Sequence, residues 1–118
     1  MRTLALVTLA AVAACSRTGT GTGVRTDITA RIQSVQAPIT QCYADALQRN
    51  RKLRGMMVLQ LDAAADSGQF EHITLSRDEP GDPGLRQCVI GHVASLKLEK
   101  PQRTAVQFAY PINFQPTK

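Results

Sequence analysis

The chain opens on an apolar run that is too short to cross a bilayer. Met1 and Arg2 make a short basic start, and the eleven residues 4–14 are all small or apolar. A membrane-spanning helix needs about 20 residues, whereas the apolar part of an export signal takes about 7–15. Residues 1–14 therefore read as an export leader, and their removal leaves roughly one hundred of the 118 residues for a fold. That length excludes a two-domain cofactor enzyme. With 43% hydrophobic residues the remainder can build a modest core, but only 4% are aromatic and none is Trp, so the core is expected to be thin. The formal charge of +5 falls to +4 once Arg2 leaves with the leader. So small a charge, with no Lys/Arg cluster interleaved with aromatics, argues against nucleic acid as a partner.

The run ends Val12-Ala13-Ala14-Cys15. This resembles the bacterial lipobox: a branched aliphatic residue, two small residues, then the cysteine that is lipidated. The alternatives are an ordinary signal peptide that happens to end near a cysteine, and a buried helix. The lipobox resemblance implies that Cys15 becomes the first mature residue, acylated on sulfur and amine. Several acyl chains anchor stably where one does not, at about 0.8 kcal/mol per buried methylene. Ser16 in place of Asp implies sorting to the outer membrane, facing the periplasm. Residues 16–26 alternate Gly and Thr without hydrophobic period, and read as a flexible tether spanning roughly 18 Å. The spaced glycines are no phosphate loop, because no strand precedes them and no Lys-Ser/Thr follows.

From Asp27, expected as a helix N-cap, Ile28, Ile32, Val35, Ile39, Cys42 and Ala46 recur at helical spacing. Pro38 demands a kink or a second helix starting there. Met57, Leu59 and Leu61 alternate with Met56, Val58, Gln60 and Asp62, Ile73 and Leu75 are apolar in alternation from Phe70 to Ser76, and Asp66-Ser67-Gly68-Gln69 between the two strands is turn chemistry. Asp82-Pro83 signals a helix start, with Leu85, Cys88, Val89, His92, Val93 and Leu96 on one face. Val106, Phe108, Tyr110, Ile112 and Phe114 make the clearest strand. The order α-β-β-α-β over residues 27–118 predicts a two-layer α+β domain, two helices on a three-stranded antiparallel sheet.

Four stretches in this order resemble a known family: Pro38-Ile39-Thr40-Gln41-Cys42-Tyr43-Ala44-Asp45-Ala46-Leu47, Leu53-Arg54-Gly55, Asp82-Pro83-Gly84-Leu85-Arg86-Gln87-Cys88-Val89 and Tyr110-Pro111-Ile112-Asn113-Phe114. They look like the AgmX/PglI C-terminal domain, a TonB-C-like module of myxobacterial envelope proteins. Leu96 and Leu98 stand where relatives usually carry Trp and Phe, and the Asp66-Ser67-Gly68 turn is longer than theirs. The resemblance implies a cell-envelope interaction module, associated in some multidomain members with gliding motility, without catalysis and without a cofactor.

With Cys15 assigned to lipid, Cys42 and Cys88 remain, each on the apolar face of a predicted helix in an oxidising compartment. They are expected to pair; two buried free thiols, or a metal site using Cys88 and His92 with Cys42 or His72, are the alternatives. No Gly-x-Ser-x-Gly elbow or paired-carboxylate motif occurs, and the two cysteines are too far apart in sequence for a thiol oxidoreductase, so no enzyme is expected. A TonB-like energy transducer, which needs a membrane-spanning helix and a periplasm-crossing linker, is not expected from so short an apolar run and tether. The expected function is a non-catalytic module that binds an envelope protein or peptide, the alternative a purely structural lipoprotein. Pro111 cannot donate to a ladder, so the last strand is expected at the sheet edge, outermost in an order that follows the sequence. There Gln107, Ala109, Pro111 and Asn113 would meet an added peptide strand, as TonB-type domains use theirs; alternatively Pro111 and the polar tail only blunt the edge.

Overall fold

The computed structural model describes residues 5–9 and 22–116. In chain order these form β1 (Ala5–Leu9), α1 (Thr22–Gln33), α2 (Gln36–Arg49), β2 (Gly55–Ala63), β3 (Phe70–Asp78), α3 (Pro83–Ala94) and β4 (Val106–Pro116). The strands make one antiparallel sheet in the order β1-β4-β2-β3, with helices packed on one face. The α+β class and the two-layer arrangement are as the sequence predicts, and the α-β-β-α-β succession is intact. Three expectations need correcting.

The first concerns helix α1. Residues 22–26, expected as tether, are helical, and Asp27 lies inside the helix rather than capping it. The reason is tertiary: Ile28 and Ile32 are fully buried, and the Asp27 carboxylate accepts the backbone N–H groups of Glu99 (3.1 Å) and Lys100 (2.8 Å). A helix held by its far partners does not need a local start signal. Residues 15–21, including Cys15, lie outside the described residues. Pro38 falls in the first turn of α2, where its missing N–H costs no helical bond. The chain breaks between α1 and α2, so of the two outcomes expected at Pro38 a second helix is the one found, starting two residues earlier and making three helices where the α-β-β-α-β order counts two.

The second concerns strand order. The final strand pairs with β2, which is central, and not with β3. Both β3 and β4 run antiparallel to β2, hence parallel to each other, and parallel strands require a long crossover. Helix α3 supplies it. It starts at Asp82, whose side chain accepts from Leu85 N–H at 3.2 Å, with Pro83 at the first helical position.

The third concerns the leader. Residues 5–9, expected only as part of an export signal, pair with residues 112–116 of β4 as a fourth strand.

The core is continuous between helices and sheet. Ile39, Tyr43, Ala46, Leu85, Val89 and Val93 from the helices meet Met57, Leu59, Leu61, Tyr110, Ile112 and Phe114 from the strands. The Tyr43 and Phe114 rings pack with centroids 5.0 Å apart, and Phe70 meets Phe108 edge-on at 5.3 Å. Those two contacts concentrate most of the few aromatics where helices meet sheet, which offsets their scarcity.

Candidate interaction edge

The sheet is flanked by β3 on one side and, on the other, by β4 with β1 laid along residues 112–116, and the two flanks differ. On β3 the register slips twice, between Val58 and Leu59 and between Gln60 and Asp62, each time with one extra residue in β3. His72 takes a left-handed backbone (φ 54°) at the second slip, and its Nδ1 lies 3.0 Å from the Asp62 carboxylate. Bulges and charged side chains are how a sheet edge is closed to strand pairing. On the β4 side, β2 pairs in nine consecutive registers without a slip.

The direction of the β4 backbone groups follows from Met56. Its N–H donates to Glu79 Oε1 (2.7 Å) and its C=O accepts from Glu79 N–H (3.0 Å), so both point toward β3. Met56 faces Asn113. In an antiparallel ladder bonded and non-bonded pairs alternate, so Asn113, Pro111, Ala109 and Gln107 all turn their backbone polar groups away from β2. Three details agree. The Gln60 carbonyl, opposite Ala109, accepts from Thr74 Oγ1 of β3 at 3.4 Å. The ladder passes Pro111, opposite Val58, without interruption. The Val7 carbonyl of β1, opposite Phe114, is turned away from β4 and accepts the Gln36 side-chain amide at 3.4 Å. Gln107 is exposed, while Ala109, Pro111 and Asn113 are half-buried. Strand β1 faces residues 112–116; among the described residues no strand faces the outer side of residues 106–111. The four residues singled out from sequence thus turn their backbone groups to one side, but only Gln107, Ala109 and Pro111 are left open there: Asn113 pairs with Thr8 of β1, so β4 is not the outermost strand the sequence led one to expect.

Cys42 and Cys88 form a disulfide joining the middle of α2 to the middle of α3, with Cα atoms 5.8 Å apart. Closing 46 residues disfavours the unfolded chain by about 4 kcal/mol on the chain-entropy estimate. His92 lies one turn on, and one of its ring nitrogens and the two sulfurs fall within 4.8 Å of one another. Both sulfurs are bonded to each other, which leaves His92 as the one ligand in that cluster. His72 is on the edge strand β3, beside Glu71 and against Asp62 of β2, so the two histidines do not meet.

Around this frame the polar side chains act as ties. Arg49 pairs with Asp82, joining the end of α2 to the cap of α3, and Arg86 donates to Asp78 at 2.9 Å. The Tyr43 hydroxyl donates to the Leu53 carbonyl at 2.5 Å. Desolvation raises the Tyr43 pKa, with Arg54 opposing. Burial likewise raises that of Tyr110, whose hydroxyl has no partner among the described residues. Sequence reasoning missed Asp27 as a tie and the seat of residues 5–9 on β4. Only the β-branched pair Val7 and Thr8 in an uncharged stretch hinted at the latter. No helix among the described residues is long and apolar enough to cross a membrane. No family model, curated protein or solved structure matches the chain.

Proposed function

We propose that the protein is a lipid-anchored cell-envelope module of the AgmX/PglI C-terminal kind, which captures an extended segment of an envelope protein by strand addition at the outer edge of β4. The carrying observation is the asymmetry of the sheet. β3 is closed by two bulges, whereas β4 is straight and turns the N–H and C=O groups of Gln107 and Ala109 outward. Main-chain bonds at such an edge supply affinity, and the side chains of the added strand supply selectivity. The lipobox-like Val12-Ala13-Ala14-Cys15 supports the anchor. Six residues, 16–21, then separate Cys15 from α1, so the domain would sit within about 25 Å of its leaflet, in our reading the periplasmic face of the outer membrane.

Two measurements in the native envelope test this. A fatty-acid analogue should label the wild-type protein, and Cys15→Ala should abolish label and membrane retention together; an unlabelled, freely soluble wild type rules out the anchor. Cross-linking should capture the same partner segment with wild type and lose it with Gln107→Pro. The Gln107 N–H points away from β2, so proline there removes an edge donor while leaving the internal ladder intact. Capture that survives in a folded, disulfide-bonded Gln107→Pro protein rules out this edge.

A further inference from the structure

The lower half of the β4 edge is already filled by the chain itself. β1 lies antiparallel on β4, from Ala5 opposite Pro116 to Leu9 opposite Ile112. Val7 is only 3% exposed and faces Phe114, which is fully buried, so this segment completes the core rather than resting on the surface. Helix α2 packs against it from above, and Gln36 in the first helical turn holds the Val7 carbonyl. By the alternation set at Met56, Asn113 and Gln115 turn their backbone groups outward, where they meet Thr8 and Leu6. The seat is therefore a groove with a backbone ladder along one wall, a helix start along the other, and a buried aromatic ring at its floor. None of residues 112–116 is charged, nor is Gln36.

Residues 5–9 also lie inside the apolar run that precedes Cys15. If that run is a leader, hydrolysis of the Ala14–Cys15 peptide bond by an export peptidase, with water added across it, takes this strand away.

We propose that the groove between residues 112–116 of β4 and the first turn of α2 is an acceptor for an extended, uncharged peptide strand with a β-branched aliphatic residue at its centre, and that the leader's own Ala5–Leu9 occupies it until the leader is cut. This rests on the strand-capture reading and deepens it. The occupant's chemistry is read from the segment seated there: its central valine enters the core opposite Phe114, where a charged side chain would be buried without a partner. The leader thus serves as a guard strand that keeps an adhesive edge closed before the protein reaches its membrane.

The test uses the full chain with its disulfide intact. Val7→Asp should expel β1, so that the backbone amides of Asn113 and Gln115 exchange with solvent faster than in wild type. A labelled synthetic peptide spanning residues 2–10 should then bind saturably and restore their protection. Wild type should bind the peptide at least ~10-fold more weakly, because its tethered strand competes at high effective concentration. A peptide carrying Asp in place of the central valine should bind the opened chain at least ~30-fold more weakly, the equivalent of about 2 kcal/mol. If Val7→Asp does not fold, Val7→Ala replaces it, with faster exchange at the same two amides and an affinity between the two. Unchanged exchange in a folded variant overturns the seat, and opened amides that ignore the peptide overturn the acceptor. Neither readout uses lipid or an envelope partner. A missing acyl label on Cys15 therefore removes the unmasking step alone, and peptide failure leaves capture at Gln107 and Ala109 to the cross-linking experiment.

Discussion

Met56 gives both backbone polar groups to Glu79, and this orients the whole neighbouring strand. Glu79 in turn holds Arg77 and sits against Gly55, where an added Cβ would come within 2.6 Å of the Glu79 Cβ and the backbone has φ 129°. The Met56 N–H, and after it Arg77, hold the Glu79 carboxyl below its ordinary pKa. A carboxylate favoured by the fold contributes stability that is complete above its unfolded pKa, about 4.3, and is lost as pH falls through the lower folded value. The expected outcome is that Glu79→Gln is less stable than wild type near pH 7, and that the difference shrinks below about pH 4. Urea unfolding at both pH values checks it; a difference independent of pH would mean that the charge contributes nothing. Wild-type stability should also fall on acidification more steeply than that of the variant.

Among the elements, the hairpin turn shows how local chemistry and distant contacts combine. Asp66 (φ 67°) and Gly68 (φ 71°) both take left-handed backbone, as the Asp-Ser-Gly composition leads one to expect. The turn is also fastened to the chain after α3. Leu98 N–H donates to the Gly68 carbonyl at 2.9 Å, and Gln69 Nε2 donates to the carbonyls of Ala94 (2.8 Å) and Leu96 (3.0 Å). A Cβ at Gly68 would lie 3.0 Å from the Leu98 Cβ. Gly68→Ala is therefore expected to cost about 1–2 kcal/mol from backbone conformation, with the contact adding to it; a midpoint in denaturant equal to wild type would refute the fastening. Turns, the Asp82 cap and alternating strands were legible because each is written in neighbouring residues. The place of β4 was not: Pro111 announces a missing donor, but β1 pairs with residues 112–116, so β4 is an inner strand over that stretch and not the outermost one expected. Which strand lies inside it was not legible, because a proline says nothing about its neighbour, and the crossover through α3 decides that. The start of α1 escaped for a related reason: Gly and Thr have no helical period, and the forces that order them come from Ile28, Ile32 and the clasp on residues 99–100. The composition of residues 4–14 led to a leader alone, and nothing periodic in it announced that residues 5–9 pair as a strand.

At the scale of the whole molecule, the cystine joins the helix that leads into β2 to the helix that leads into β4. Suppose the chain is held near its start and a partner strand is held on β4, as an anchored envelope module would be. Force then enters at α1 and leaves at β4, and the cross-link is the shortest covalent route between them. β2 and β3 lie wholly inside the closed loop, so tension passes around them and cannot draw them out. With a separation of 46 residues, the loop conceals a contour of about 160 Å at roughly 3.5 Å per residue. Single-molecule pulling between residues near 22 and 116 should therefore release about 150–160 Å more chain under reducing conditions than under oxidising ones, and equal extensions would contradict the bypass. The disulfide thus fixes how far a loaded molecule can yield: its ends can unravel while the hairpin of β2 and β3 stays slack.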